Sequence, residues 1–469
     1  MSTELIYSDA TKLAELIRTR EVSPVEVLKA HLDRIEAVNP KVNAMVTIVE
    51  DALESAKKAE AAVQRGDELG PLHGVPFTAK DSIDTAMVPT QRGTPIFKGR
   101  TPDTDATSVA RMKKAGGILL AKTNLPEFSY GIESDNLLTG RTRNPWNLDL
   151  TPGGSSGGES AAIAAGMSPL GLGTDLAISL RGPAAHTGIV ALKATHGRVP
   201  MTGIWPRVPR RFWHVGPMAR SIRDLSLAFS LLAGPDGQDG YSSSAIPFDA
   251  GIGSDKERSL RVGWLVEPGF GPVDRETAST VEGAAAALKN FGHTIESVRI
   301  PALERDFALD VFSRLHVLEM KPGFVEATAG RSEAEISYMA KFMLSSPDTP
   351  AADYIDAAQA AERLKDGYAE YFQKYDVLLT PVLPTPSFRH GQADLLINGQ
   401  TVNVMGIMSA TSPLNVTGLP GVSMRFGTGH DGMPIGVQIV GSWQAESTIL
   451  HVASLLEQVS PVRDLHPNF

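Results

Sequence analysis

The residues best placed for chemistry lie in one tract, Thr151-Pro152-Gly153-Gly154-Ser155-Ser156-Gly157-Gly158-Glu159-Ser160. Gly153 to Ser160 misses the phosphate-loop pattern at a single position. Glu159 stands where a lysine would meet the phosphate, and an anion there opposes phosphate binding. Gly153-x-Ser155-x-Gly157 satisfies the G-x-S-x-G pattern of a nucleophile elbow. Asp376 and His390 are downstream candidates for its acid and base. An elbow follows an apolar strand, however, and the residues before this tract are Asn147-Leu148-Asp149-Leu150. A Ser–His–Asp hydrolase using Ser155 is therefore kept as an alternative. Ser55-x-x-Lys58 has the S-x-x-K spacing of another serine-nucleophile class, on a helix that reads as solvated surface. Taken singly, Ser155 reads as a loop hydroxyl, Lys80 as a salt-bridge partner of Asp81, and Ser179 as a strand-end serine.

The elements that must hold these residues alternate in type. Ser23-Pro24-Val25-Glu26 has the form of a capping box with proline at the first helical position. Val25, Leu28, Leu32 and Ile35 then recur on one helical face, and Asn39-Pro40 is expected to end that helix. Asp51 to Arg65 reads as a second helix. Gly74-Val75-Pro76-Phe77-Thr78-Ala79-Lys80 looks like a short buried strand ending at a charged pair. Residues 105–115 suit a helix and 118–121 a strand, with Lys122 beyond its end. Val377-Leu378-Leu379 and Gly436-Val437-Gln438-Ile439-Val440 read as further buried strands. This alternation predicts an α/β architecture. With no repeat or flexible linker, one domain over 1–469 is expected. Its parts are a helical region (1–70), a core (71–220), a mainly helical variable region (225–375) and C-terminal strands with a helix (376–469).

Composition narrows the class. The 469 residues are 42% hydrophobic and 21% charged, which is globular rather than disordered. There is no cysteine, so disulfides, thiolate metal sites and cysteine nucleophiles are excluded. Forty-four basic against 53 acidic residues give a net charge of −9, which disfavours nucleic acid or an anionic membrane as partner. The longest uncharged stretch, Leu395 to Met424, is polar and broken by Pro413 and Pro420, unlike a spanning helix. A cytoplasmic protein is the simplest expectation. No spacing of histidines and carboxylates suggests a metal site, and no cofactor is expected.

More of the chain enters a third reading. Gly74-Val-Pro-Phe-Thr-Ala-Lys80-Asp81, Lys122-Thr-Asn-Leu-Pro-Glu127-Phe and Asn144-Pro-Trp-Asn are followed by the Gly/Ser tract. Then come Gly173-Thr-Asp175 through Ser179 and Arg181, and Leu192-Lys-Ala-Thr-His-Gly-Arg-Val-Pro. Asn415-Val-Thr-Gly-Leu-Pro-Gly and Gly432-Met-Pro-Ile-Gly-Val-Gln-Ile-Val-Gly complete the series. In this order the sequence resembles the amidase signature family over almost its whole length. The resemblance implies the amidase signature fold, one large mixed twisted sheet covered by helices on both faces. It also implies an amidase, a hydrolase of non-peptide C–N bonds working through a Ser–cis-Ser–Lys triad. By motif, Ser179 would be the nucleophile that forms the acyl-enzyme, Ser155 the bridging serine after a cis Gly154–Ser155 bond, and Lys80 the base.

The chemistry implied is coherent. A serine hydroxyl is a poor nucleophile until a base activates it. Lysine titrates near pKa 10.4 in water, and burial disfavours its ammonium form. A neutral Lys80 could then take a proton through Ser155 from Ser179 and return one to the departing nitrogen. The oxyanion hole would come from the backbone N–H groups of Leu176, Ala177, Ile178 and Ser179. Ser156, Asp175 and Arg181 would support this loop.

Two departures stand out. Most relatives carry two glycines where Ala177 and Ile178 stand, so side chains here would restrict the loop and reshape the acyl pocket. The amidotransferase branch usually continues from the nucleophile as Ile-Arg-Gln-Pro, whereas this chain reads Leu180-Arg181-Gly182-Pro183. Both features argue for a stand-alone amidase acting on a small amide, and the Ala-Ile loop resembles that of hydrazidase-type members, which cleave acyl hydrazides. An amidotransferase-type subunit that needs protein partners is the alternative. Phe128, Tyr130, Ile178 and Trp205 are candidates for a pocket suited to an aromatic acyl group, with Phe212 and Trp213 nearby. Arg207, Arg210 and Arg211 form a basic cluster beside Trp213 that could meet a carboxylate, though a solvated loop is the simpler reading. His186 and His196 read as structural. Family members are often dimers, which leaves a homodimer open.

Overall fold

The computed structural model describes residues 2–205, 210–242, 248 and 258–469. Thirteen strands occur among the described residues: β1 (Met45–Ile48), β2 (Pro76–Lys80), β3 (Ile118–Thr123), β4 (Leu170–Asp175), β5 (Val190–Lys193), β6 (His214–Ala219), β7 (Arg261–Trp264), β8 (Thr294–Ser297), β9 (Val377–Pro381), β10 (Asp394–Ile397), β11 (Gln400–Asn403), β12 (Gly421–Thr428) and β13 (Pro434–Gly441). Eleven of them form one mixed sheet in the order β1-β3-β2-β4-β6-β5-β12-β13-β9-β7-β8, flanked by helices, and β10 and β11 make a separate hairpin. This is the mixed α/β sheet architecture the sequence predicts.

The order positions the site. β2 runs parallel to both β3 and β4, with Thr78 opposite Gly171 and Ala79 opposite Leu172. Parallel neighbours end at the same edge, so Lys80, the last residue of β2, arrives beside Thr174 and Asp175. β4 pairs antiparallel with β6, which sets Asp175 opposite His214. β2, β3 and β4 are buried at every position. A strand covered on both faces reads as a continuous buried run rather than an alternation.

Local differences from the sequence reading have physical causes. The Ser23–Glu26 capping box forms, but its helix runs from Pro24 to Val42, through Pro40. It closes at Asn43, in the left-handed region at φ 55°, whose N–H donates to the Asn39 carbonyl at 2.7 Å. Asn39 Oδ1 meanwhile accepts from the N–H groups of Ala44 and Met45, so side-chain capping rather than proline sets the end. The first seventy residues are not wholly helical, since β1 pairs antiparallel with β3. β3 extends to Thr123, so Lys122 is buried inside the sheet. The 225–375 region holds β7 and β8 beside long helices such as Ala308–Thr328 and Ala351–Lys374.

Buried apolar side chains divide into two main clusters. One runs along the sheet from β1 to β7 in its strand order, with the helices packed on it. The other joins Phe128, Tyr130 and the Leu176–Ile178 loop to the helices Ala308–Thr328 and Ala351–Lys374. Among the described residues, no helix is long and apolar enough to cross a membrane.

Candidate active site

Lys80 is completely buried. Its Nζ lies 2.5 Å from Ser155 Oγ and donates to Thr174 Oγ1 at 2.9 Å. Both partners are hydroxyls, so no carboxylate touches the amine. Burial pushes its pKa well below the ordinary lysine value, and the more distant charges of Asp175 and Glu159 offset this only in part. Lys80 does not pair with Asp81. Asp81 faces Lys122, and burial raises the carboxyl to about 7 against the pull of that lysine and of the Gln91 N–H.

The glycines of the Gly/Ser tract permit close backbone approach. A Cβ on Gly154 would lie 2.6 Å from Glu133 N and from Gly131 O, and one on Gly158 would collide with the Asn124 backbone. The tract therefore sits directly on the segment after β3. The Gly154–Ser155 peptide bond is cis. Ser134 Oγ, which motif reading passed over, donates to the Gly153 carbonyl at 3.1 Å and accepts the Gly157 N–H at 2.9 Å. Ser156 Oγ exchanges hydrogen bonds with the Thr174 backbone, at 3.2 and 3.3 Å, tying the tract to the end of β4. Glu159 is buried and accepts from the Thr78 and Thr123 hydroxyls. Burial raises its pKa to about 7 despite those bonds and the nearby Lys122 and Lys80.

Ser179 lies in the loop between β4 and the helix Arg181–Thr187 and is 4% exposed. Among the described residues no hydrogen bond joins it to Ser155. The loop is bracketed by a buried ion pair. Asp175 accepts from Arg181 Nη2 and Nε at 3.0 and 3.1 Å, from the Leu180 N–H at 3.0 Å and from Asn415 Nδ2 at 3.0 Å. Burial works to raise the Asp175 pKa, but Arg181, Asn415 and the Leu180 N–H together hold it below the usual value. Arg181 also donates to Thr411 O, Gln438 Oε1, Asn415 Oδ1 and Ala177 O. Asn415 belongs to a motif quoted above. Gln438 belongs to another of those motifs and to a strand read as buried.

These bonds orient the peptide groups of the loop. The carbonyl of Ala177 faces Arg181, and that of Ile178 accepts the Gly182 N–H at 2.7 Å. In a planar trans peptide the next N–H points the opposite way. The N–H groups of Ile178 and Ser179 thus face away from the helix, and among the described residues they and that of Ala177 donate to no acceptor. Unspent backbone donors can hold an oxyanion.

Ala177 and Ile178 both keep negative φ, since neither is among the positive-φ residues, so their side chains do not strain this loop. A Cβ on Gly182 would lie 2.5 Å from Ile178 Cγ1. The glycine leaves the room that Ile178 fills, so the two departures from the relatives' pattern are physically linked.

Phe128, Tyr130 and Trp205 do come together. Phe128 lies 4.7 Å from Trp205 and 5.3 Å from Phe324, centroid to centroid, and Tyr130 lies 5.5 Å from Phe324. Ile178, Phe212 and Trp213 share the same apolar cluster. His316, which the sequence did not single out, accepts at Nε2 from the Tyr130 hydroxyl at 3.0 Å, its Nδ1–H being spent on the Phe312 carbonyl. Of the basic cluster, Arg207 lies outside the described residues, Arg210 pairs with Asp239, and Arg211 pairs with Glu319.

The Ser–His–Asp alternative is not assembled. Asp376 accepts from Arg258 and the Arg261 N–H, His390 Nδ1 contacts Glu133 Oε2 at 2.7 Å, and Ser155 Oγ meets Lys80. Lys58 is exposed on the helix Ala52–Arg65. Both nitrogens of the buried His186 lack partners, and burial holds its pKa down near 3. His196 Nε2 lies 3.0 Å from the Arg210 carbonyl oxygen.

A sequence profile of the family described as Amidase matches residues 26–450. A glutamyl-tRNA(Gln) amidotransferase subunit from Carboxydothermus hydrogenoformans is 33% identical over 491 residues, covering 99% of each chain. The structure of 6-aminohexanoate cyclic dimer hydrolase with substrate superposes with a TM-score of 0.88 at 31% identity, covering 99% of each chain. The corresponding glutamyl-tRNA(Gln) amidotransferase subunit from Thermotoga maritima superposes with a TM-score of 0.77 at 26% identity, over 93% of this chain and 92% of that one.

Proposed function

Since the chain belongs to the amidase signature family, we propose that it cleaves the C–N bond of a carboxylic amide or acyl hydrazide through an acyl intermediate on Ser179. The observation that carries this reading is the buried Lys80 amine, 2.5 Å from Ser155 Oγ and without a carboxylate in contact. Kept neutral by burial, the amine accepts the Ser155 proton while Ser155 takes that of Ser179. Ser179 Oγ bonds to the carbonyl carbon, and the oxygen gathers charge against the N–H groups of the Leu176–Ser179 loop. Each such donor is worth about 2.7–4 kcal/mol in the transition state. As the C–N bond breaks, Lys80 returns the proton through Ser155 to the leaving nitrogen. Water then attacks the acyl ester by the same relay, giving a carboxylate and ammonia, amine or hydrazine.

A second reading concerns partners rather than chemistry. The Carboxydothermus relative and others like it are amidotransferase subunits, which supports a chain that works with partner proteins. The linked Ile178 and Gly182, which depart from the amidotransferase pattern, support a chain acting alone. One experiment addresses both: release of ammonia, amine or hydrazine from matched amides and hydrazides by the purified chain, beside Ser179→Ala. Ser179-dependent release by the chain alone is expected, and hydrazide preference would select the hydrazidase-type branch. Turnover by Ser179→Ala at the wild-type rate would overturn the assignment. Release only after a copurifying protein is added would establish the partner-dependent reading.

A further inference from the structure

Arg92 is a buried cation that its surroundings do not fully match. It lies in the loop between β2 and β3. Its N–H donates to the carbonyl of Asp81, the neighbour of Lys80, at 3.0 Å, and its carbonyl accepts the N–H of Phe128 at 2.9 Å. The residue is 8% exposed. Its guanidinium carbon stands 4.9 Å from the ring centre of Phe97 and 5.1 Å from that of Trp205, on the aromatic wall that includes Phe128. Its Nε is buried and has no acceptor.

The carboxylates nearby are committed elsewhere. Asp84 is 3.6 Å from Arg92 Nη2, yet each of its oxygens accepts from Arg100 at 2.8 Å. Asp81 accepts the Gln91 N–H and lies in the field of Lys122. Arg92 and Arg100 thus share Asp84, and Arg92 has no carboxylate of its own. An unmatched buried charge is costly, and a bound anion relieves that cost. Guanidinium suits a carboxylate because its planar donors match that group's two oxygens. Arg210 and Arg211 have no such need, each having its own carboxylate.

We infer that Arg92 receives a carboxylate carried by the acyl part of the substrate, so that the substrates are amides or hydrazides of acids bearing a second carboxyl group. The inference rests on the proposed acyl-Ser179 reading. Apolar contact with Phe97 and Trp205 would hold the body of the acyl group, and Arg92 would fix its far end and hence its register against Ser179.

The test is calorimetric titration of the full-length Ser179→Ala protein with matched ligands. Terephthalamate is compared with 4-methylbenzamide, and adipamate with hexanamide. The carboxylate of at least one pair is expected to bind about 10- to 100-fold more tightly than its neutral mate, and Arg92→Met should remove that preference. If neither carboxylate binds more tightly than its mate, the inference is overturned on the unsubstituted pocket, whatever the fold of the Arg92 variant. A preference that survives in a folded Arg92→Met protein also overturns it. Hydrolysis is scored separately, by wild-type turnover of all four amides, so carboxylate preference with turnover of none of them would retain the anion site and reject the acyl-transfer reading.

Discussion

Lys80 is suited to act as a base because of what does not touch it. A carboxylate in contact would hold the ammonium form, as the simplest reading of Lys80-Asp81 would have it. Instead the amine meets two hydroxyls, while Asp175 is committed to Arg181 and Glu159 is held by threonines. Ser179→Ala is expected to lower turnover by at least about 10^4-fold, in line with loss of a serine nucleophile elsewhere, with an unchanged melting temperature. Lys80→Met should be severely impaired as well. In the wild type, kcat/KM should be level where Lys80 is neutral and fall as acid protonates it. A pH–rate profile with no such acid limb would count against Lys80 as base. Stability has a matching sign. The folded pKa of Lys80 lies below its unfolded value near 10.5, so the unfolded chain takes up the proton first. Stability is therefore lost as pH falls from the unfolded value through the folded one. Denaturant titrations at several pH values should show a shallower slope in Lys80→Met.

At the scale of the element, the loop from Asp175 to Arg181 is held by its ends rather than by its middle. Asp175 and Arg181 bond each other, the loop backbone and the C-terminal Asn415 and Gln438, which leaves the N–H groups of Ala177, Ile178 and Ser179 unspent. Arg181→Met strands a buried carboxylate and should cost about 3–5 kcal/mol in denaturant unfolding. Gly182→Ala presses a methyl group into Ile178 and should cost about 1–3 kcal/mol. Adding Ile178→Ala to that variant should restore much of the loss. A double-mutant cycle showing simple additivity would contradict the packing link between these residues.

Across the whole molecule, distant segments meet behind the serine tract. Glu133 accepts from His390 Nδ1–H at 2.7 Å and from the Gly391 N–H at 2.8 Å, and the Glu133 backbone lies against Gly154. This staple connects the segment after β9 to the loop bearing Ser155. Glu133→Ala should lower kcat about tenfold with little change in KM, because it loosens the serine loop rather than the acyl pocket. Glu133→Gln, which can still accept one hydrogen bond, should recover part of the loss. Equal losses in both variants would argue against positioning. The helix Ala308–Thr328 is tied in similarly, through His316 to Tyr130.

The α/β alternation, the capping box, the strand ending at Lys80 and the bracketing Asp175 and Arg181 were all legible in the sequence, because each rests on local spacing or on a motif. The helix end at Asn43, the inward Lys122 and the strand β1 were not, because neighbouring segments decide them. The sequence by itself determined which family the chain belongs to and which lysine and serines could do chemistry, since ordered motifs specify residue types. Only the tertiary structure decided that Lys80 meets hydroxyls rather than Asp81, that Thr174, Asn415 and Gln438 complete the site, that Ile178 needs Gly182, and that Arg92 rather than Arg210 or Arg211 lacks a full partner. The physical reason is that charge matching and close packing depend on residues far apart in the chain, as when parallel pairing of β2 with β4 brings Lys80 to Thr174.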